Sequence, residues 1–559
     1  MEGEQFIQVI VPLRLGWMPT YRASSDVRVG QRVRVKVARG SYVGVVRSVG
    51  VVPDVAASRI LPIESVELGL PEISMREIEL WEFIASYYLC TVGEVFKAAY
   101  PSLKVKSEET AANAAAAKEE RRVASAVRMQ ESVKRRISRL EASLALRKVA
   151  LENRHKESVR ERLERERDRI VAELESARQS LEELAVIEPA AASAPARRMA
   201  PAIAGRAPKP VLLRGSNRVP EYVQMIKETL SAGRDVLILV PDIVFCDRME
   251  QALAPEFPDL LVFNSQHTQV RRRKIASALR GSDMPCVVLG TRIALFLPFC
   301  DLGLVIVDEE QDMYYKQTEP APRYNGRDVA IKLAAIHGAR TVLGSALPSL
   351  ESEYNCISGK YLSETLDSHE LASVIIVDIP AEKRKMGMLG DLSRILLKEI
   401  SEFDGRVTLI RTWEKEETVR EQLEKYLPGR EIDVMTMAEA RRNGFGEFVA
   451  ILQADALTDR NDFRADERAA QLVAQLRSMT SVLLIQTSVP ARWNGSRGAS
   501  DLLSERREFS FPPFTRLVTV SGPDGPRQFF LPRDRSLASR KAEIASSARR
   551  DEIVDVDPV

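Results

Sequence analysis

The chain has 559 residues, too many for a single hydrophobic core, so roughly three to five domains are expected. Hydrophobic residues make up 45% of the chain and charged residues 29%, a balance typical of soluble globular proteins with real hydrophobic cores. A net charge of +2 identifies no partner, because only local clusters of charge create a field that attracts one.

Cysteine and histidine spacing argues against disulfides and against a metal site. The five cysteines include no CxxC pair, which suits reduced thiols. No two of the four histidines have the spacing of metal ligands, so zinc is not expected. The start, MEGEQFIQVIVPL, lacks the pattern of a signal peptide, and no apolar run reaches the length of about 18 residues that a membrane helix needs. A cytoplasmic protein without a membrane partner is expected.

Residues 1–105 begin with a pattern typical of strands. In VRVGQRVRVKVARGSYVGVVRSVGVV, valine alternates with arginine or lysine at a period of two, and glycines mark the turns. This pattern predicts a small twisted β-barrel or sheet with one basic face. The segment EISMREIELWEFIASYYLC places apolar residues at helical spacing and predicts a helix that packs against the sheet.

Basic and aromatic residues of this N-terminal segment are candidates for DNA contacts. Arg32, Arg34 and Lys36 alternate along one predicted strand and therefore share a face. That face is interpreted either as a patch for the DNA backbone or as an ordinary solvated strand face. Trp17 and Tyr21 are candidates for stacking on exposed bases, with a place in the core as the alternative for each.

The segment 106–188 differs in composition, with no glycine and no proline. Apolar residues recur at steps of three and four, from 133 to 144 and again from 170 to 184, which predicts a coiled coil. An antiparallel hairpin within one chain and a dimerising helix are both open. Self-association or partner docking is expected of it, with a rigid spacer as the alternative. Residues 189–210 are rich in proline and alanine and predict an extended linker.

Beyond residue 210, buried β-rich runs alternate with helical patterns. The runs DVLILVP, CVVLGT, LGLVIVDEE and RTVLGSA predict parallel strands of an α/β layer fold within 211–375. A second and weaker series, with RVTLIRT, EFVAILQAD and SVLLIQT, predicts another α/β domain within 376–488. Residues 489–559 mix loops with short strands and predict a small C-terminal domain.

Long strings of the chain resemble the family of primosomal protein N′, or PriA, the bacterial replication-restart helicase. GTRIALFLPFCDLGLVIVDEEQDMYYKQTEPAPRYNGRDVA, GSALPSLES and DFRADERAAQL are similar to ordered motifs of its helicase core. VPLRLGWMPTYRAS and VGQRVRVKVARG resemble its 3′-end DNA-binding domain, and ERREFSFPPFTRLVTV resembles its C-terminal domain. The resemblance, which excludes about 108–210, implies a β-rich DNA-binding domain, two RecA-like helicase lobes, the second degenerate, and a small C-terminal domain. The predicted coiled coil stands where the family has a winged helix.

The residues that the resemblance assigns to nucleotide hydrolysis are only partly present. Asp308 and Glu309 match the family's magnesium ligand and general base. The expected phosphate loop, GxxxxGK[ST], is replaced by LLRGSNRVPEYVQMI, in which Gly215 is the remnant. The motif that inserts an arginine from the second lobe is missing, Leu347 replaces a coupling threonine, and no cysteine follows Cys356 to form the family's zinc module. The acids are therefore interpreted as relics that cap strand and helix ends.

The resemblance also assigns residues to DNA. MPTY lies where the family recognises a 3′-terminal nucleotide, and Thr20 and Tyr21 match that motif, although neighbouring positions depart from it. Arg292 in GTR and Arg323 and Arg327 in PRYNGRD are candidates for contacts with single-stranded DNA, with a role in loop structure as the alternative. DNA binding is therefore expected, while selectivity for a 3′ end is open.

Three functions follow as hypotheses. The first is a PriA-like DNA-binding protein of replication restart that binds forks or 3′ ends, contacts primosome proteins and lacks ATP-driven unwinding. The second is an active ATP-dependent 3′–5′ DNA helicase with a rebuilt nucleotide site, which alone needs ATP and Mg²⁺. The third is a coiled-coil interaction protein whose helicase core no longer meets DNA. The missing motifs favour the first hypothesis.

Overall fold

The computed structural model describes residues 4–100, 171, 207–281, 284–366, 372–458, 462–495, 497–549 and 551–558. Apart from residue 171, the described residues belong to one compact unit formed by 1–103 and 196–559. The predicted coiled coil lies outside the described residues except at 171, and the predicted linker lies outside them except at 207–210.

The N-terminal part forms a five-stranded antiparallel sheet in the order β2-β1-β4-β3-β5. Its strands are β1 (Glu4–Ile10), β2 (Thr20–Ser24), β3 (Arg32–Val37), β4 (Gly40–Val49) and β5 (Ser65–Val66). Alternate valines of β3, Val33 and Val35, are fully buried in the core of this sheet. The period of two therefore produces a sheet with one buried face, and the predicted N-terminal sheet is confirmed.

Two helices follow this sheet, α1 (Met75–Tyr88) and α2 (Val92–Ala99). Each begins with a capping box, in which the side chain of Ser74 or Thr91 accepts a hydrogen bond from the backbone N–H three residues later. Trp81 and Ile84 of α1 are buried in a core that is shared with the following α/β layer. The helices thus join the N-terminal sheet to the rest of the unit.

Residues 211–365 form a seven-stranded parallel sheet, which we call lobe 1, in the order β12-β6-β11-β10-β7-β9-β8. Its strands are β6 (Val211–Arg214), β7 (Asp235–Leu239), β8 (Leu261–Phe263), β9 (Val287–Gly290), β10 (Leu302–Asp308), β11 (Arg340–Ser345) and β12 (Leu362–Thr365). Its helices are α3 (Val219–Ser231), α4 (Ile243–Leu253), α5 (Gln269–Gly281), α6 (Gly326–His337) and α7 (Leu350–Ile357). Every residue of β7 and β10 is buried, as expected of continuous apolar runs between helices.

A second parallel sheet, lobe 2, has five strands in the order β13-β19-β18-β16-β17. Its strands are β13 (Ser373–Asp378), β16 (Val407–Arg411), β17 (Asp433–Thr436), β18 (Phe448–Ile451) and β19 (Val482–Thr487), with a hairpin of β14 (Met388–Leu389) and β15 (Leu392–Ser393). Its helices are α8 (Ile379–Arg384), α9 (Arg394–Glu402), α10 (Glu416–Tyr426), α11 (Met437–Asn443), α12 (Ala465–Arg477) and α13 (Pro490–Trp493). The predicted α/β class with two parallel-sheet lobes is confirmed.

The C-terminal residues form a small antiparallel sheet in the order β21-β20-β22, with one helix before it and one helix within it. The elements are α14 (Ala499–Glu508), β20 (Thr515–Gly522), β21 (Gly525–Pro532), α15 (Leu537–Ser547) and β22 (Ile553–Val556). The buried ammonium of Lys316 in lobe 1 donates to Asp555 Oδ1 at 2.7 Å and to the Val556 carbonyl oxygen at 2.7 Å. This contact ties the small sheet to lobe 1.

Neither a membrane helix nor a metal cluster is found where the structure is described. Within those residues, no helix combines the length and apolar character needed to cross a bilayer. The described part of the chain also contains no group of three or more histidine, cysteine, aspartate or glutamate side chains that could hold a metal ion.

Candidate functional site

The candidate site lies at the carboxyl edge of the lobe 1 sheet, where β10 ends between β7 and β11. Asp308, Glu309 and Glu310 follow one another there, and only 5%, 3% and 2% of their surfaces are exposed. Glu309 has a φ of 52°, a left-handed conformation that turns the chain sharply after the strand. As a result, the three consecutive acids contact different partners.

The turn between β6 and α3 places Arg218 against two of these acids. Its Nε donates to Asp308 Oδ1 at 2.8 Å, and its Nη2 donates to Glu309 Oε1. Its Nη1 donates to the carbonyl oxygen of Gly215, the remnant of the expected phosphate loop. The Tyr222 hydroxyl also donates to Asp308 Oδ1, at 2.7 Å. We call Arg218, Tyr222, Asp308 and Glu309 the Arg218 cluster.

The positive charge of Arg218 offsets part of the negative charge of Asp308 and Glu309 in the interior. Burial disfavours the charged guanidinium of Arg218, but attraction to Asp308 and Glu309 outweighs it and holds the pKa of Arg218 well above its usual value. Burial raises the pKa of Glu309, while the Arg218 charge acts in the opposite direction. Burial also raises the pKa of Tyr222, so its hydroxyl stays protonated and donates to Asp308. The cluster is therefore a permanent buried cation held between two carboxyl groups.

These residues do not fit a magnesium nucleotide. Such a site needs glycine-rich backbone N–H groups, a lysine for the phosphates and a hydroxyl for Mg²⁺, and an acid whose oxygen is free for the metal. Here Asp308 Oδ1 already accepts hydrogen bonds from Arg218 and Tyr222. Packing is also tight, because a Cβ added at Gly344 would lie 1.8 Å from the Tyr222 hydroxyl oxygen and 2.9 Å from Arg218 Nε.

Glu310 joins the end of β10 to the start of α7. Its Oε1 accepts the Ser349 backbone N–H at 2.7 Å, and its Oε2 accepts hydrogen bonds from the hydroxyls of Ser349 and Ser352 at 3.0 Å and 2.9 Å. Arg327 Nη1 donates to the same oxygen at 3.0 Å and to Ser349 Oγ at 2.9 Å. The guanidinium of Arg327 is held in this ion pair, and its contact with DNA stays a prediction.

Lobe 2 contributes two side chains to the same region. Gln475 of α12 donates to Asp312 Oδ2 at 3.0 Å and to Glu309 Oε2 at 3.3 Å. Arg441 of α11 donates to Asp312 Oδ2 at 2.9 Å, to Asp242 Oδ2 at 3.2 Å and to the Gln475 side-chain oxygen at 2.8 Å. The two lobes are thus joined by direct hydrogen bonds beside the Arg218 cluster.

Arg477, the arginine of α12 nearest to the missing arginine motif, does not reach these acids. Its Nε donates instead to the Ala372 carbonyl oxygen at 2.9 Å, directly before β13. Among the described residues, the structure therefore supplies no arginine from lobe 2 to Asp308 or Glu309.

A cavity of about 290 Å³ lies between the lobes and the C-terminal residues. Its lining includes Asp312, Arg441 and Gln475, but neither Arg218 nor Gly215. The open space between the lobes is therefore separate from the position at which a phosphate loop would lie.

The N-terminal domain places two of its predicted DNA contacts in the interior. Arg32 is 3% exposed, and its guanidinium carbon lies 4.5 Å from the ring centroid of Tyr100 and 5.2 Å from that of Phe96. Tyr21 is 5% exposed, and its hydroxyl donates to the Lys36 carbonyl oxygen at 3.0 Å. Both side chains support the sheet and α2 from within, and their contacts with DNA stay a prediction.

Other candidate residues of this domain remain on its surface. Arg34 is partly exposed, and its Nε forms an ion pair with Glu67 at 2.8 Å. Lys36 is exposed, Thr20 is half-buried, and 64% of the Trp17 surface is exposed. The basic face is therefore smaller than the sequence pattern predicts.

The loops of lobe 1 hold the two remaining arginines. Arg292 Nη1 donates to the Tyr314 carbonyl oxygen at 2.8 Å, and its Nε is buried without a hydrogen-bond partner. Arg323 lies 3.8 Å from Glu319 in a weak ion pair. Arg292 begins a short 3-10 helix after β9, and Arg323 lies on the loop before α6. Their contacts with DNA stay a prediction.

Arg218, Arg441 and Gln475 were missed as site residues by sequence reasoning. For Arg218 a signal was present, because a basic residue stands directly before α3, where the family's loop has its lysine. For Arg441 and Gln475 there was none, since only the packing of the lobes brings them to the acids of β10.

Comparison with known proteins gives relatives for part of the chain. Residues 8–101 match the family model of the 3′ DNA-binding domain of PriA. The chain is 37% identical over 204 residues to the replication restart protein PriA of Rickettsia felis, covering 35% of this chain and 31% of the relative. It is 35% identical over 187 residues to the PriA of Haemophilus influenzae, covering 33% of this chain and 25% of the relative. The matches thus span less than a third of these relatives' length.

Solved structures give weaker likenesses. RecG bound to a three-way DNA junction has a TM-score of 0.33 at 17% identity, covering 55% of this chain and 42% of that chain. The E. coli DExH-box NTPase HrpB has a TM-score of 0.35 at 11% identity, covering 62% of this chain and 47% of that chain. The chain is therefore similar to the PriA family in its N-terminal domain and over about a third of its length.

Proposed function

We propose that this protein binds forked or 3′-ended DNA in replication restart, helps to assemble a primosome, and does not unwind DNA with ATP. The match of residues 8–101 to a 3′ DNA-binding domain supports the DNA part of the proposal. The proposal that the protein does not unwind DNA with ATP rests on one observation, the hydrogen bonds of the Arg218 guanidinium with both Asp308 and Glu309.

The chemistry of Arg218 explains why the acids are not available to a nucleotide. In the family these acids hold a magnesium ion and orient a water molecule, and both tasks need free carboxylate oxygens. An arginine cannot lose its proton in a protein, so its charge permanently neutralises part of this acidic pair. A magnesium ion would have to displace a buried, hydrogen-bonded cation of the chain itself.

The surface of the N-terminal domain and the lobe 1 loops supply the DNA contacts in this proposal. Arg34 and Lys36 are the basic side chains of β3 that reach solvent, and the exposed Trp17 offers an indole for stacking on a base. Arg292 and Arg323 supply further positive charge on lobe 1. The coiled coil predicted for 106–188 is the segment assigned to self-association or to a primosome partner.

The test compares binding of the full chain to a 3′-ended fork and to a blunt duplex at two salt concentrations, each at one constant concentration of free Mg²⁺ with and without ATP. We expect tighter binding to the fork, weaker binding to both at high salt, and no effect of ATP. A nucleotide that does not bind the chain has no coupling free energy with the DNA site, so it cannot change the affinity for DNA.

The second candidate is an active ATP-dependent helicase, which is favoured by the survival of Asp308 and Glu309 at the end of β10. It predicts that ATP changes the affinity for the fork at a constant concentration of free Mg²⁺. Such a change would contradict the proposal. Equal binding to fork and blunt duplex would remove its DNA selectivity.

A further inference from the structure

Helix α5 carries a run of four consecutive cations, Arg271, Arg272, Arg273 and Lys274, which we call the α5 basic cluster. The helix contains no acidic residue, as its sequence QVRRRKIASALRG shows. Arg271, Arg273 and Lys274 are exposed, and Arg272 is half-buried. The buried side of α5 is formed by Ile275 and Leu279, so the cluster is not needed for its packing.

The charges of the α5 basic cluster have no partners of opposite sign among the described residues. None of the four forms an ion pair there, whereas other basic residues of lobe 1 do, such as Arg234 with Asp301 and Lys227 with Glu256. Arg272 Nη2 donates to the Ser265 carbonyl oxygen, while its Nε is buried without a hydrogen-bond partner. The cluster is therefore an uncompensated patch of positive charge.

The position of the cluster within the helix makes it unfavourable for the folded chain alone. Its arginines begin in the first turn of α5, where the N–H groups already carry partial positive charge, so cations are repelled and anions attracted. Burial lowers the pKa of the nearby His267, and repulsion from Arg271 and Arg272 adds to that effect. By contrast, Lys383 and Arg384 lie in the last turn of α8, where the helix itself favours cations.

The fold places the cluster next to surfaces already assigned to DNA. Helix α5 follows β8, and Arg292 follows β9, the strand paired with β8, so both begin at the same carboxyl edge of the parallel sheet. At its other end, α5 reaches the N-terminal domain, where Arg280 Nη2 donates to the Tyr100 hydroxyl at 2.9 Å and lies 3.7 Å from Glu77.

The length of α5 suits a DNA strand that continues from the N-terminal domain to the α5 basic cluster. Nine residues separate Arg271 from Arg280, and at 1.5 Å per residue this is a span of about 14 Å. Successive phosphates of one strand of B-DNA rise by about 3.4 Å along the axis, so the span corresponds to roughly four nucleotides.

We propose that the α5 basic cluster binds the sugar-phosphate backbone of DNA that extends from the N-terminal domain onto lobe 1. Arginine and lysine donate charge-assisted hydrogen bonds to phosphate oxygens, and these contacts carry no base sequence information. The cluster thus adds a sequence-independent second contact that fixes the direction in which the DNA leaves the N-terminal domain. This inference rests on the proposed DNA-binding function.

The test uses the full chain with Arg271→Gln, Arg273→Gln and Lys274→Gln combined. Glutamine keeps the helix propensity of α5 and removes only the charge. The control removes the same charge at another exposed run, with Lys383→Gln, Arg384→Gln and Lys385→Gln at the end of α8. Affinity for a 3′-ended fork is measured by fluorescence anisotropy over a series of salt concentrations, and thermal melting confirms that each variant is folded.

We expect the α5 variant to bind the fork at least tenfold more weakly at low salt. The magnitude of the slope of log affinity against log salt should fall by about 0.9 for each phosphate that the variant no longer neutralises. For three removed charges the decrease is roughly two to three, while the control keeps the wild-type slope. An unchanged slope in the α5 variant would overturn the inference and leave the proposed function intact, and so would an equal decrease in both variants. If the wild type does not bind DNA, the proposed function fails as well.

Discussion

Arg218 is the residue that contacts both retained acids of the candidate site. Asp308 and Glu309 end the same buried strand that their family motif occupies, yet their oxygens are bound by a guanidinium ninety residues away in sequence. The interaction is made within the chain and needs no ligand. Through these contacts Asp308 and Glu309 hold the turn between β6 and α3 against the end of β10.

A substitution of Arg218 tests this structural role. Arg218→Ala leaves two buried carboxyl groups without their cation, so the free energy of unfolding should fall by roughly 3 to 5 kcal/mol. Urea denaturation measures the change. Lys227→Ala on the same helix is the control, because its exposed ion pair with Glu256 should contribute less than about 1 kcal/mol. A similar small decrease in both variants would show that Arg218 does not hold the site together.

His337 makes the stability of lobe 1 depend on pH. Burial, with repulsion from Arg76 and Arg234, lowers the pKa of His337 to about 3, well below the value of about 6.5 expected in the unfolded chain. Between these values the unfolded chain binds a proton that the folded chain does not, so the free energy of unfolding rises with pH through this window. His337 contributes this stability above pH 6.5, and it is lost as pH falls toward 3.

Urea denaturation at several pH values checks this dependence. As pH falls from 6 to 4, the free energy of unfolding should decrease more in the wild type than in His337→Gln, by up to about 1.4 kcal/mol per pH unit. Parallel pH profiles for the two proteins would mean that the imidazole is protonated freely in the folded state.

At the scale of single elements, strand β3 divides its cations between the interior and the surface. Arg32 stacks under the rings of α2 and the residue after it, whereas Arg34 and Lys36 reach solvent. The three share a face of the strand as the period of two predicts, but α2 covers the first of them.

Stability and DNA binding should therefore depend on different cations of β3. Arg34→Gln with Lys36→Gln should weaken DNA binding and reduce the salt slope by about one to two, with little change in melting temperature. Arg32→Gln should instead lower the melting temperature by several degrees, because it removes a buried cation that lies over two rings. Anisotropy and thermal melting measure the two effects. The assignment would be reversed if the variant at Arg34 and Lys36 had a lower melting temperature and Arg32→Gln had the melting temperature of the wild type.

Helix α11 carries the contact that joins the two lobes. Arg441→Ala removes the shared partner of Asp242 and Asp312 across the interface, and the free energy of unfolding should fall by about 3 kcal/mol. Hydrogen exchange should become faster in α11 and α12 first, since these elements face lobe 1. Arg442→Ala, the exposed neighbour on the same helix, is the matched control. Equal exchange rates in the two variants would contradict a joined interface.

The elements were predictable where one period or one apolar run decided the structure. DVLILVP and LGLVIVDEE become β7 and β10 because continuous apolar residues are buried on both faces of a parallel sheet. The burial of Arg32 was not predictable, because a period of two shows which side chains share a face but not which helix covers it. The pairing of Arg218 with Asp308 depends on two strands, β6 and β10, that only the folded sheet brings together with β11 between them.

At the scale of the whole unit, the N-terminal domain, the two lobes and the C-terminal sheet are connected by buried contacts. Lys316 joins lobe 1 to Asp555, Gln475 joins lobe 2 to Asp312, and Arg280 joins α5 to Tyr100. A nucleotide can shift such a unit between conformations only by binding one of them more strongly. DNA is the ligand that we propose for the exposed, uncompensated charge of this unit.

The most direct measurement is ATP hydrolysis by the full chain with saturating 3′-ended fork and Mg²⁺, beside the variant Glu309→Gln. We predict that the fork is bound and that both proteins hydrolyse ATP at the rate of the blank without protein. DNA-stimulated hydrolysis by the wild type that is abolished in Glu309→Gln would contradict the account. It would show that the acids of β10 still act on a nucleotide despite the contact with Arg218.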